Sequence, residues 1–263
     1  MNKETAIRRG SNRAEASIER QLVAAVDRAE LRKAPFDHIY MEQVLDPESY
    51  AALLAAMPDR SFYHDLKHRD AVRKDGSSTR LRMYLYPELL RRLPSNVRSI
   101  WMPVARALCS RALEQAFKRK FRAALEERFG KAVEKIGLYP VPILLRDLPG
   151  YKISIHSDVP TKAITVQFYL PRDESQRHVG TIFHESDTGA GAKMRTQMAF
   201  LPSTGYAFPV STTKSWHSAA PTKKADGERV TMMVTYYVAE GFRGQLYRRV
   251  RRALLFFGLH PER

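Results

Sequence analysis

Apolar residues recur at helical spacing in the first half of the chain and alternate with polar residues in the second half. Residues 12–32 place apolar side chains every three or four positions, and Asp46 has the character of an N-cap that opens a second helix. A third helical region extends from about residue 95 to 132. Residues 34–45, between the first two helices, are typical of a short strand. The pattern predicts a mainly helical support region over residues 1–136.

The residue pattern changes after residue 135, where short runs of strand-forming residues are separated by turn residues. Many short strands at this spacing favour an antiparallel sandwich or barrel over a parallel sheet with crossover helices. We therefore predict an α+β fold in one domain, with a double-stranded β-helix (jelly roll) core over residues 137–240. Residues 241–263 predict a basic amphipathic C-terminal helix, for which docking on the barrel is favoured over membrane contact.

Composition narrows the classes of protein that fit. The chain has 263 residues, a formal net charge of +16 and a single cysteine, Cys109, which excludes an intramolecular disulfide and a multi-cysteine metal site. The basic residues are scattered from Arg8 to Arg263, which favours a generally basic surface over a dedicated nucleic-acid face. No signal peptide or membrane span is indicated. We expect a cytoplasmic protein.

Candidate chemistry begins with "YKISIHSDVP", residues 151–160. Residues two apart on a strand project from the same face, so His156 and Asp158 are expected to converge on one point. Two histidines and one carboxylate form a ligand set for iron(II) that leaves coordination positions open. His217, in "KSWHSAAP", is the candidate third ligand, and His184 in "TIFHESD" is its competitor.

Another histidine pair and two arginines are alternative candidates for a binding site. His64 and His68 have a spacing that could share a metal on a helix, but their segment lacks the glutamate of a zinc protease signature. Arg146 and Arg195 could bind an anionic group of a substrate, although surface ion pairing is favoured for both. Cys109 is expected to be a small buried side chain rather than a nucleophile.

A candidate anion site follows the histidine. Arg229 and Thr231 share one face of the strand-like run "RVTMMVTYYV" and would point together into the barrel. A buried guanidinium needs an anion, and a carboxylate matches its planar fork. Gln167 and Tyr169 share a face of "AITVQFYLP"; either could bind a cosubstrate, although core packing is favoured for each taken singly.

The ordered set His156-x-Asp158, His217 and Arg229-x-Thr231, carried on short strands, resembles the non-haem iron(II) and 2-oxoglutarate-dependent oxygenases. The segment "APFDHIYMEQVLDPESYAALLAAMPD" resembles the opening strand and helix of their prolyl-hydroxylase-like branch. The resemblance covers roughly residues 34–60 and 137–240.

The resemblance implies a role for each residue of the motif. The metal ligands and catalytic centre would be His156, Asp158 and His217, and the distal carboxylate of 2-oxoglutarate would bind Arg229 and Thr231. It also implies the cofactors Fe(II), 2-oxoglutarate and O₂, and hydroxylation of an unactivated C–H bond with release of succinate and CO₂.

The substrate and two other functions stay open. The substrate could be a small molecule or a group presented on a carrier, including an anionic one, and neither its identity nor the oligomeric state follows from the sequence. A cupin-type metal dioxygenase that does not use 2-oxoglutarate has no need of a buried Arg229. A non-catalytic basic protein that holds RNA or an acidic partner would show steeply salt-dependent binding.

Overall fold

The computed structural model describes residues 3–66, 69–186 and 195–257, with side chains described from residue 13 onward except those of Arg69 and Arg195. Within these residues the helices are α1 (Lys3–Arg28), α2 (Pro47–Ala55), α3 (Ser95–Leu108), α4 (Arg111–Lys120), α5 (Arg122–Phe129) and α6 (Gly241–Phe256). The strands are β1 (Ile39–Met41), β2 (His64–Asp65), β3 (Arg80–Tyr84), β4 (Leu138–Asp147), β5 (Ile153–His156), β6 (Lys162–Tyr169), β7 (Thr181–His184), β8 (Arg195–Gln197), β9 (Gly205–Pro209), β10 (Trp216–Ala219) and β11 (Arg229–Val238).

The strands form two antiparallel sheets. The major sheet has the order β1-β9-β6-β11-β4-β3-β2, and the minor sheet has the order β5-β10-β7-β8. Neighbours such as β6 and β11 are distant in sequence, so the register depends on long-range pairing. The structure confirms a mixture of helices and antiparallel sheets, with helices before and after the main block of strands.

The helices cover one face of the major sheet. The main hydrophobic core joins residues of α1 to α5 with alternate residues of the central strands, among them Met232 and Val234 of β11. Because the helices bury one face of the major sheet, polar groups lie on its opposite face.

Two helix ends are set by neighbouring residues. Asp46 is the N-cap of α2 and accepts a hydrogen bond from the Ser49 amide at 2.7 Å, and Gly130 ends α5 with a left-handed φ of 62°.

The predicted support region also contributes strands to the major sheet. Residues 1–136 contain not only α1 to α5 and the expected strand β1, but also β2 and β3, which lie at one edge of the major sheet. The sequence reasoning missed β3 because its "RLRMY" alternation is short and carries two arginines. The boundaries at residues 136 and 240, and the single-domain assignment, stay predictions.

Helix α6 docks on the protein as expected. Leu255 is buried in a cluster with Tyr86 and Tyr139, and Arg252 forms an ion pair with Glu88. The rest of the predicted helix, residues 258–263, lies outside the described residues. Across the part of the chain that the structure describes, no helix combines the length and the apolar character that a bilayer crossing requires.

Candidate metal centre and the polar network beside it

Two strands of the minor sheet bring the predicted metal ligands together. His156 at the end of β5 lies directly opposite His217 on β10, and their ring centroids are 4.2 Å apart. Asp158 follows two residues after His156. One potential ligand atom from each of the three lies within 4.8 Å of the others, which suits a shared metal ion. The predicted His156, Asp158 and His217 cluster is therefore present in the fold.

Backbone carbonyls set the orientation of both rings. His156 Nδ1 is 2.9 Å from the carbonyl of Ser154, and His217 Nδ1 is 3.0 Å from the carbonyl of Ser215. Because a carbonyl oxygen only accepts, each Nδ1 carries the hydrogen, and each Nε2 keeps the lone pair that a metal binds. Hydrogen bonds of this kind fix the tautomer of metal-binding histidines.

The electrostatics of the cluster favour a ligand-competent state. Burial raises the pKa of Asp158, but the nearby Lys162 ammonium, His217 and hydrogen bonds from Lys162 and Thr165 outweigh it and hold that pKa well below the usual value. Lys162 Nζ and Thr165 Oγ1 each approach one carboxylate oxygen at 2.6 Å. Burial lowers the pKa of His217 to about 4, although Asp158 opposes the shift. A carboxylate and a neutral imidazole are the forms that bind metal.

Arg229 lies at the centre of a buried polar network between the two sheets. Its guanidinium is 2.7 Å from Asp147 on β4, 3.1 Å from Gln167 on β6 and 3.2 Å from Thr181 on β7. The side chain is only 1% exposed. Tyr206 donates to the same Gln167 oxygen at 3.0 Å. The network ties the inner face of the major sheet to the minor sheet.

The network holds more positive than negative charge. Arg80 on β3 also pairs with Asp147, at 2.6 Å, so one buried carboxylate serves two guanidinium groups. Burial lowers the pKa of Arg229 but the Asp147 carboxylate raises it further, and the net shift is upward. Both arginines are therefore charged. The Nε of Arg229 and the Oγ1 of Thr231 are buried without a hydrogen-bond partner among the described residues.

The predicted cosubstrate residues occupy this interior as follows. Arg229 and Gln167 contact each other, and Tyr169 lies opposite Thr231 across the β6–β11 pair. The Arg229 guanidinium lies 5.6 Å from the centre of the Tyr169 ring. The Tyr169 hydroxyl accepts from the Thr181 amide at 3.1 Å, which is a packing role of the kind favoured from sequence. Their part in cosubstrate binding stays a prediction.

Several residues of the site were missed from sequence. Four residues contact a predicted site residue from three different strands: Asp147 on β4, Thr181 on β7, and Lys162 and Thr165 on β6. Only the cross-strand register places Asp147 opposite Arg229. The signal for Thr165 was its two-residue spacing from Gln167, which puts both side chains on one face of β6.

The alternative candidates have other contacts or lie outside the described residues. His184 bonds to Ser218 at 2.7 Å and is not part of the metal cluster. Arg146 pairs with Glu228 at 3.2 Å, which agrees with the ion-pairing role favoured for it. His68, and the side chain of Arg195, lie outside the described part of the structure.

Comparisons with known proteins agree on the fold. No family model and no curated protein matches the sequence. A solved prolyl hydroxylase from Trichoplax adhaerens, in complex with a hypoxia inducible factor peptide fragment, aligns over 90% of this chain and 94% of its own, with a TM-score of 0.50 and 10% identity. The rice dioxygenase for auxin oxidation aligns over 82% of this chain and 85% of its own, with a TM-score of 0.50 and 16% identity.

The chain has the fold of these oxygenases. The family resemblance drawn from the motifs is thereby confirmed at the level of the fold, including its jelly-roll core. The two enzymes are similar to this chain in architecture, and their low identity leaves the substrate to be argued from the site itself.

Proposed function

We propose that the protein is an Fe(II)- and 2-oxoglutarate-dependent oxygenase that hydroxylates an unactivated C–H bond of a small-molecule or carrier-bound substrate. The observation that carries the proposal is that the candidate metal ligands and the Arg229 network lie in the same interior, between the two sheets. A three-residue cluster with free Nε2 lone pairs lies on the same side of the major sheet as a buried arginine network with surplus positive charge.

Strand β6 relates the two sites. Thr165 bonds to the metal-ligand candidate Asp158, and Gln167, two residues further, bonds to Arg229. Positions two apart on a strand are separated by about 7 Å. That separation suits a five-carbon dicarboxylate with one end at the metal and the other at the arginine. We therefore assign the metal to His156, Asp158 and His217, and the distal carboxylate of 2-oxoglutarate to Arg229, with Thr231 as a further donor.

The chain's own residues position and shield the reactants. The carbonyls of Ser154 and Ser215 hold the two imidazoles, while Arg229 offers a charged fork to the cosubstrate. When bound, iron(II) and 2-oxoglutarate supply the oxidation of the substrate C–H bond by O₂, with release of succinate and CO₂. Burial of Asp158, His217 and Arg229 limits the access of bulk water to that chemistry.

One observation favours a second candidate. Arg229 already has an internal carboxylate partner in Asp147, so its burial does not by itself require a cosubstrate. A cupin-type dioxygenase that uses the same triad without 2-oxoglutarate fits that pairing. Arg80 weighs against it, because sharing of Asp147 between two arginines leaves one positive charge for an incoming anion.

Anaerobic titration with Fe(II) and then 2-oxoglutarate tests the proposal by the weak visible charge-transfer band of the chelated cosubstrate. We expect a band in the wild type and none in Asp158→Ala. Arg229→Ala should weaken 2-oxoglutarate binding at least about a hundredfold. This variant leaves Asp147 paired with Arg80, so the core charge stays balanced.

Matched controls remove the same side-chain types elsewhere. His178→Ala removes an imidazole that is 60% exposed, and Arg60→Ala removes a guanidinium that is 58% exposed; neither should change the band. Iron binding without the charge-transfer band would refute the use of 2-oxoglutarate and favour the cupin-type enzyme. Failure to bind iron would refute both enzymes and favour the basic binding protein.

A further inference from the structure

Exposed apolar side chains concentrate on the C-terminal helix. Of the eight large apolar residues that are exposed in the described part of the chain, six lie on α6 or directly after it: Phe242, Leu246, Tyr247, Val250, Phe256 and Phe257. The remaining two, Val72 and Val159, lie in separate loops. Phe242 is 80% exposed and Phe257 is 73% exposed. Such a concentration on one short element marks an interaction surface.

The helix docks on the protein mainly through two arginines, and Leu255 is its one buried large apolar side chain among the described residues. The Arg248 guanidinium lies 4.3 Å from the centre of the Tyr237 ring, and that of Arg252 lies 4.4 Å from the centre of the Tyr86 ring. Arg252 also pairs with Glu88. This orientation differs from the usual one, in which an amphipathic helix buries most of its large apolar side chains. Most of the large apolar side chains of α6 therefore face solvent.

Four of these residues form a single stripe. Successive helix residues are rotated by about 100°, which places Phe242, Leu246, Val250 and Phe257 within a sector of about 80°. We call these four residues the α6 apolar face. Arg243 and Arg249, both exposed, border it on its two sides. The face thus combines an apolar centre with a cationic margin.

The wider surroundings are also cationic. Helix α6 contains five arginines and no acidic residue. The exposed Arg91 and Arg92 lie near its C-terminal end, where Arg92 donates to the carbonyl of Phe256. The whole chain carries a net charge of +16. Any partner that covers the α6 apolar face must therefore offer apolar contact and negative charge together.

We propose that the α6 apolar face binds the surface of a membrane that contains anionic lipids, with the helix lying in the plane of the headgroups. Acyl chains accept Phe242, Leu246, Val250 and Phe257, while lipid phosphates neutralise Arg243 and Arg249. The helix has 16 residues, which is shorter than a membrane span requires, so it lies on the bilayer rather than across it.

Charge complementarity favours lipid over two other partners. A second copy of the chain would bring another helix with five arginines against the first, and the like charges would repel. Nucleic acid would neutralise the arginines but would leave the apolar face in water, because its outer surface is a phosphate backbone. An anionic bilayer satisfies both parts of the surface at once.

Vesicle co-sedimentation of the full-length protein tests the proposal. One set of vesicles is phosphatidylcholine alone, and in the other a third of the lipid is phosphatidylglycerol. We expect binding to the anionic set only. Substitution of Phe242, Leu246 and Val250 by serine should weaken it at least about a hundredfold, because each burial contributes a factor of roughly ten. The paired change Arg243→Gln and Arg249→Gln should weaken it by about thirtyfold.

The control variants change the same chemistry elsewhere. Val72→Ser removes an exposed valine outside α6, and Lys74→Gln with Lys152→Gln removes two exposed charges. These variants should bind anionic vesicles within about twofold of the wild type, since their side chains are remote from the α6 apolar face. Circular dichroism should show the same melting temperature for all variants, because only exposed residues are changed.

Each other outcome overturns the proposal. Unchanged binding by the triple serine variant would mean that net charge alone attracts the protein to vesicles. No binding by the wild type would remove lipid as the partner, and a dimer in light scattering that the triple serine variant abolishes would assign the face to a second copy. A Leu246→Trp variant gives direct evidence: its emission should shift to the blue only with anionic vesicles. None of these assays needs metal or 2-oxoglutarate, so failure here and failure of the oxygenase proposal are separate results.

Discussion

Replacement of Asp147 by asparagine tests the central charge arrangement of the interior. The Asp147 carboxylate is fully buried and receives Arg80 at 2.6 Å through one oxygen and Arg229 at 2.7 Å through the other. Asparagine has nearly the same shape but no charge. The variant therefore removes the only anion of this cluster among the described residues and leaves two guanidinium groups facing a neutral amide.

The expected loss of stability is large. Removing one partner of a buried ion pair typically costs about 3–5 kcal/mol, because the remaining charge is left uncompensated. In a chain of this size that loss lowers the melting temperature by about 6–20 °C. Part of the loss should be recovered in Arg80→Met with Asp147→Asn, since one of the two uncompensated charges is then absent.

Chemical denaturation and calorimetry of the metal-free variants give the comparison. Glu127→Gln is the matched control: its side chain is 79% exposed and forms only a 3.9 Å contact with Lys214, so it should change the free energy of unfolding by less than about 0.5 kcal/mol. An Asp147→Asn protein as stable as the wild type would refute the charge argument. So would a double variant less stable than Asp147→Asn.

Three further predictions concern other buried groups. Burial lowers the pKa of folded His217 to about 4, so the unfolded chain takes up a proton at this residue first as the pH falls. The free energy of unfolding of the metal-free protein should therefore fall by about 3 kcal/mol between pH 6.5 and 4. Denaturation should show a smaller loss for His217→Leu. Cys109 is half-buried, and burial raises the pKa of its thiol to about 12, so little thiolate exists at pH 8. A thiol reagent should therefore label the native protein at least about a hundredfold more slowly than the unfolded chain, and equal labelling rates would contradict this. A Cβ on Gly180 would lie 1.7 Å from the carbonyl oxygen of Met198, so Gly180→Ala should lower the free energy of unfolding by more than about 2 kcal/mol, and an unchanged midpoint in urea would refute the clash.

The candidate metal ligands were predictable because two of them are close in sequence and the third lies beside a recognisable strand. His156 and Asp158 lie on one short segment, and His217 precedes a strong strand signal, so strand geometry and ligand chemistry together indicated the set. The helix starting at Asp46 was equally predictable, because an N-cap is a property of neighbouring residues.

The partner of Arg229 was not predictable in the same way. The sequence indicated that a buried guanidinium needs an anion, but Asp147 is 82 residues away and meets it only through the β4–β11 register. Sharing of Asp147 with Arg80 depends in addition on the short strand β3. The orientation of α6 was missed for a related reason: helical periodicity shows an apolar stripe and a charged stripe, but the rings of Tyr86 and Tyr237 decide which one faces the protein.

Strand β6 sets the distance between the two ends of the proposed active site. Thr165 marks the metal end and Gln167 the arginine end, and the pleat of a strand fixes the interval between them. Loops at the rim can lengthen, shorten or change sequence without altering that interval. Variation in the loops alone can therefore change the substrate. A longer or shorter dicarboxylate in place of 2-oxoglutarate would require a different spacing of side chains on the sheet.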